Sequence, residues 1–104
     1  MSHPLRLLIV FVSPDCESCQ EAKPHIAAFE RKHLLEITVV RITQDKSSES
    51  LCEGWIPKRT PAFCLKVDGE VVGKSDGGLD DIEAWVQGRL SMKRLEPLRS
   101  EEAA

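Results

Sequence analysis

The sequence predicts an α/β domain with elements in the order β-α-β-α-β-β-α and a compact, mixed four-stranded sheet flanked by helices. Three observations predict it. Residues 7–12, LLIVFV, are six consecutive apolar residues rich in β-formers, the pattern of a central strand covered on both faces. Behind them Cys19, Ala22, Ile26 and Phe29 recur every three to four residues, the period of a helix. Further on, Asp68-Gly69 separates two short apolar runs and is the dipeptide that favours a two-residue hairpin turn.

In chain order, the first helix spans about residues 17–33 and contains Pro24, which removes a backbone donor and predicts a kink. Residues 37–42, ITVVRI, read as a second buried strand, and the connection is long enough for a right-handed crossover between parallel strands. The stretch QDKSSESLCEGWIPKRTP offers capping residues at Asp45, Ser47 and Ser48, a short helix through Cys52, and breakers at Gly54, Pro57 and Pro61. AFCLKV (62–67) and EVVGK (70–74) then form antiparallel strands around the turn. Past Gly77-Gly78 a last helix gathers Leu79, Ile82, Trp85, Val86 and Leu90 into one apolar stripe. Residues 1–90 make the domain, and the polar stretch 91–104 is expected to fray.

A chain of 104 residues suffices for one modest core. Its 14 Lys+Arg against 17 Asp+Glu, a formal charge of -3, argue against nucleic acid or an anionic membrane as the main partner. Residues 5–12 are broken by Arg6 and too short to span a bilayer, and Ser13, Pro14 and Asp15 after them make no small-residue cleavage pattern. A cytoplasmic protein is therefore expected. In such a reducing compartment the four cysteines, Cys16, Cys19, Cys52 and Cys64, do not read as a permanent disulfide framework. Redox chemistry, metal binding and simple burial remain open for them.

Cys16 and Cys19 are two residues apart, where the first strand meets the first helix. Pro24 follows the second cysteine by five, Thr60-Pro61 opens the third strand, and Asp68-Gly69 turns the hairpin. Together these features, over residues 5–90, resemble the thioredoxin fold in its compact, glutaredoxin-sized form. The resemblance implies that Thr60-Pro61 carries the family's cis-proline against the active disulfide, and that Gly77 lies beside the site. Gly77 to Asp81, GGLDD, is similar to the run that helps hold glutathione in glutaredoxins. Thr60, Pro61, Gly77 and Gly78 are thus the expected substrate-binding residues. The backbone around Thr60 would pair with an extended substrate, and Pro61 would keep a competing donor from the sulfurs.

Physical chemistry supports the same reading. A cysteine at a helix start meets unpaired N–H groups and the positive end of the helix dipole, which favour thiolate. Cys16 is then the nucleophile and Cys19, one turn on, the resolving thiol. The chain also departs from the family: Asp15 stands where thioredoxins have Trp, Glu17-Ser18 replaces Gly-Pro, and Val10 occupies the place of a buried aspartate. Carboxylates beside Cys16 oppose the thiolate, so modest activation and a reducing couple are expected. The aromatic and basic neighbours typical of glutaredoxins are missing, while Lys58 and Arg59 offer charge to a glutathione carboxylate or are simply solvated. Asp80 and Asp81 equally suit the first turn of the last helix.

For the remaining side chains the expectations are plainer. Cys64 reads as a small filler on a buried strand and Cys52 as a residue of the short helix, with a regulatory or intermolecular disulfide through Cys52 as the lesser reading. Their eleven-residue gap (62–67 holding one, the short helix the other) does not match the paired spacing of a zinc ribbon. Trp55 and Trp85 read as core, His3 and His33 as solvated, and His25 as turned away from Cys16. Lys23 shares the helical face of Cys16 but reads as solvated. The function expected is thiol-disulfide exchange with a protein disulfide or glutathione, by a monomer re-reduced by a reductase or other thiol donor, with no cofactor and no metal. The alternative is a non-catalytic module of the same fold that senses redox state or binds a partner.

Overall fold

In the computed structural model, which describes residues 5–43 and 52–99, six elements follow one another. They are β1 (Arg6–Val12), α1 (Glu17–Lys32), β2 (Thr38–Thr43), β3 (Ala62–Val67), β4 (Glu70–Ser75) and α2 (Ile82–Met92). The strands form one mixed sheet in the order β2-β1-β3-β4. β1 runs parallel to β2, with Leu7 opposite Thr38, and antiparallel to β3, with Ile9 opposite Cys64. β3 and β4 form the expected hairpin, with a register shift between Leu65 and Lys66. Most of the short helix expected through Cys52 falls on residues 44–51, outside the described residues.

Alternation along β1 explains why its sequence is apolar throughout. Leu8 and Val10 face the helices and pack with Ile26 and Phe29 of α1, Phe63 and Leu65 of β3, and Val86 and Leu90 of α2. Ile9 and Phe11 face the other way, into a second cluster with Cys52, Ala62 and Cys64. Trp55 flanks that second cluster, half-buried and edge-on to Phe11 at 5.7 Å between ring centroids. Trp85 is likewise half-buried at the margin of the first, with the Arg89 guanidinium 5.7 Å from its ring. Pro24 leaves α1 a single assigned helix, and the proline itself is exposed.

Two expectations are corrected at the C-terminal end. The stretch after α2 does not simply fray: Leu95 N–H donates to the Leu90 carbonyl (2.8 Å), and Leu98 is buried in the main core. Gln87 brackets Leu98, donating to its carbonyl at 3.0 Å and accepting from its N–H at 2.9 Å. Arg6 Nη2 donates to the Glu96 carbonyl (3.0 Å), and the Glu36 carboxylate accepts from Arg99 N–H (2.7 Å). A polar sequence can pack this way because side chains from β1, α2 and the connection between α1 and β2 satisfy its backbone while one leucine supplies the apolar anchor. Residues 100–104 lie outside the described residues.

His33 is the second correction, since it is fully buried rather than solvated. Its Nδ1 lies 2.9 Å from the Arg99 carbonyl and its Nε2 lies 3.2 Å from Glu83 Oε1. The ring stacks obliquely on Phe29, and the residue also caps α1 by donating its backbone N–H to the Phe29 carbonyl. His3 is outside the described residues.

Leu98→Ala is expected to lower unfolding stability by about 2–4 kcal/mol in a urea titration, as for other buried leucines; a loss under about 0.5 kcal/mol would mean that the terminal stretch does not dock. The hydrogen bond from Lys32, and then that from His33, hold the Glu83 carboxyl below its ordinary 4.5. A depressed folded-state pKa gives stability that is complete above the unfolded value and fades as pH falls through the folded one. Glu83→Gln should therefore flatten the acid limb of the stability curve below about pH 4.5, and an unchanged limb would show that this carboxylate contributes nothing there.

Candidate redox site

The site is assembled where β1 gives way to α1. Cys16 is the N-cap of α1, extended at φ -108° and ψ 103°, and its Sγ accepts the Cys19 N–H at 3.0 Å. Its carbonyl accepts from Gln20 N–H (3.3 Å), so the residue closes the first turn with both backbone and side chain. Cys16 and Cys19 are joined by a disulfide, with Cα atoms 5.2 Å apart. Cys16 is half-buried whereas Cys19 is buried, which leaves Cys16 as the sulfur open to an incoming group. Asp15, Glu17 and Ser18 around it are exposed.

A second segment meets this turn from the sheet side. The Thr60–Pro61 peptide bond is cis, and the Thr60 hydroxyl lies 2.9 Å from that of Ser13, which ties the loop before β3 to the loop after β1. Asp76 holds the same segment from the far end of β4, its carboxylate accepting the N–H groups of Lys58 (3.0 Å) and Arg59 (2.7 Å). Next to it Gly77 (φ 95°) and Gly78 (φ 103°) occupy the left-handed region that favours glycine. A Cβ on Gly77 would lie 3.2 Å from the Arg59 side chain, so this glycine also permits a close approach.

Of the sequence-predicted residues, Pro61, Gly77 and Gly78 come together on one wall of a cleft of about 570 Å³. Ser18, Glu21 and His25 of α1 form the opposite wall, so His25 lies on this cleft, farther along the helix than the cysteines. Asp80 lines the cleft, whereas Asp81 is the N-cap of α2, accepting Ala84 N–H at 3.0 Å. Lys23 is on the other side of the helix, in a cavity of about 290 Å³ behind Cys19 that Val10, Val12, Ile26 and Arg41 also line. Val10 is fully buried there, and Arg41 pairs with Glu30 at 2.9 Å.

Sequence reasoning missed Ser13 and Asp76. An aspartate before Gly-Gly reads as a turn residue, and nothing local signals that its carboxylate reaches back 17 and 18 residues. Cys52 and Cys64 are both buried on the opposite sheet face from α1. Among the described residues no group of three or more His, Cys, Asp or Glu side chains is placed to hold a metal ion.

The thioredoxin family model matches residues 2–88. The chain belongs to the thioredoxin family. No curated protein sequence matches it. Among solved structures it is similar to thioredoxin f2 of Chlamydomonas reinhardtii, at 15% identity and a TM-score of 0.66, over 91% of this chain and 85% of that one. It is also similar to oxidised mitochondrial thioredoxin 3 of Saccharomyces cerevisiae, at 21% identity and TM-score 0.59, over 86% of this chain and 74% of that one. A further similar structure is Fasciola hepatica thioredoxin, at 16% identity and TM-score 0.62, covering 88% and 82%. At these identities the neighbours establish the fold, while the CxxC disulfide marks this thioredoxin-family chain as a redox protein of thiol-disulfide type.

Replacing Asp76 with Ala should speed amide hydrogen exchange at Lys58 and Arg59 by on the order of tenfold, since each loses a hydrogen bond to a charged acceptor. Unchanged exchange at both would mean that this carboxylate does not hold the loop.

Proposed function

We propose that the protein reduces protein or low-molecular-weight disulfides by dithiol exchange through Cys16 and Cys19. The observation that carries this reading is the half-buried Cys16 sulfur at the N-cap of α1, accepting a backbone N–H and joined to the buried Cys19, on the helix whose Ser18 lines a cleft. The same N–H and the helix dipole favour the thiolate once the disulfide is reduced. That thiolate attacks one sulfur of the substrate disulfide, the other sulfur leaves as a thiolate and takes up a proton, and a mixed disulfide on Cys16 results. Cys19, deprotonated, attacks the Cys16 sulfur and releases the second substrate thiolate. The Cys16–Cys19 disulfide so formed is the state present in the structure, and a reductase or other thiol donor returns it to the dithiol.

Thr60, Pro61, Gly77 and Gly78 are assigned the substrate side of the cleft, with the backbone at Thr60 pairing with an extended segment. Exposed Asp15 and Glu17 oppose the Cys16 thiolate and favour a reducing couple, which suits a cytoplasmic reductant acting as a monomer. The cavity behind Cys19 has Val10 on its wall, so the proton leaving Cys19 moves through water or a neighbouring side chain rather than a buried carboxylate. Glutathione remains a small-molecule substrate in this scheme, with Asp80 the acidic residue that faces the cleft.

Cys16→Ser should abolish turnover of a protein disulfide, and Cys19→Ser should instead accumulate a mixed disulfide on Cys16 detectable by mass spectrometry. Substantial turnover by Cys16→Ser, or partner binding that is indifferent to both changes, would favour the non-catalytic module.

A further inference from the structure

Cys52 and Cys64 are not part of the site described above, yet they are a second pair of thiols that the fold brings into one buried cluster. They are 1% and 0% exposed and lie in one apolar cluster with Ile9, Phe11 and Ala62. Cys64 sits mid-strand in β3, held opposite Ile9 on one side and Lys74 on the other. Cys52, by contrast, opens a turn in which Trp55 N–H donates to its carbonyl (3.0 Å) and Glu53 and Gly54 are exposed, both with positive φ (55° and 85°). One thiol is therefore fixed mid-strand and the other is carried by a small surface turn, the kind of segment that opens locally at the lowest free energy.

We propose that Cys52 and Cys64 form a second redox couple, which a hydroperoxide closes to a disulfide independently of Cys16 and Cys19. Cys52 takes the first step. The hydrogen bond from the Cys64 thiol holds the Cys52 pKa down against the opposing effect of burial, with Lys66 and Lys74 adding favourable charge. Donating that bond, together with burial, pushes the Cys64 thiol well up, so it stays protonated. The Cys52 thiolate attacks one peroxide oxygen, the O–O bond breaks, hydroxide leaves and takes a proton to become water, and Cys52 becomes a sulfenic acid. The Cys64 sulfur then attacks the Cys52 sulfur, the S–OH bond breaks, and the hydroxyl leaves with the Cys64 proton as a second water. Two thiols are oxidised and one peroxide is reduced to two waters.

The new bond would close a ring over the loop that runs from Cys52 through Thr60 and Pro61 to Cys64. Pro61 of that loop lines the cleft along α1, so closing the ring restricts the segment held by Ser13 and Asp76. A hydroperoxide signal at one face of the sheet would thereby reach the cleft at the other end of β3.

The test starts from the wild-type protein with Cys16 and Cys19 already oxidised, treated with graded hydrogen peroxide, quenched, unfolded and alkylated before peptide mapping. The expected result is loss of both remaining alkylatable thiols together, with a peptide linking Cys52 to Cys64 and an intact Cys16–Cys19 bond. In Cys64→Ser, Cys52 should instead trap a sulfenic-acid probe. Two fully alkylatable thiols after treatment, independent overoxidation of each, or linkage only to Cys16 or Cys19 would overturn the proposal. Because the readout is the bond itself, it fails or stands separately from disulfide reductase activity.

Discussion

The structure depends on a sulfur placed where a helix needs an acceptor. At the N-cap of α1 the Cys16 side chain takes the Cys19 N–H at 3.0 Å, a position that oxygen side chains usually fill. A sulfur there relieves an orphan donor of the helix, and the same donor and dipole are available to a negative charge on that sulfur. Structural capping and chemical activation are thus one contact. It also sets the geometry of the partner, because the residue whose N–H is capped is Cys19.

Keeping that contact beside a usable cleft requires the sheet. β1 delivers Cys16 from a strand buried on both faces, and β3 starts directly after Pro61, so pairing of β1 with β3 brings the two loops to the same edge. Ser13 with Thr60, and Asp76 with the N–H groups of Lys58 and Arg59, then fix the loop from both sides. The glycines after Asp76 allow the chain to leave β4 close against the Arg59 side chain and on into the cleft wall. The two sulfurs and the cleft wall formed by Pro61, Gly77 and Gly78 thus come from three separate stretches of chain, joined by a few hydrogen bonds.

Much of this is legible in the sequence because it rests on local rules. Periodicity separates the uniformly apolar β1 from the amphipathic α1, Asp68-Gly69 marks the β3–β4 turn, and a cysteine at the strand-to-helix boundary is already a cap candidate. What is illegible depends on contacts across the chain. Asp76 looks like a turn residue until β4 places it against the loop before β3. His33, a polar residue after a helix, looks solvated until Arg99 and Glu83, 66 and 50 residues away, close over it. Leu98 looks like a stray apolar residue in a polar stretch until Gln87 accounts for its backbone. The shared cluster of Cys52 and Cys64 is of the same kind, since no spacing rule brings a turn to the middle of a strand.

The central claim is that the helix start makes Cys16, and not Cys19, the activated sulfur. Its most direct test is the rate of iodoacetamide alkylation of the fully reduced protein as a function of pH, with each cysteine resolved by mass spectrometry. The account predicts that Cys16 reacts first and becomes reactive at lower pH than Cys19, with Cys64 protected throughout. Equal titration of Cys16 and Cys19, or earlier reaction of Cys19, would contradict it.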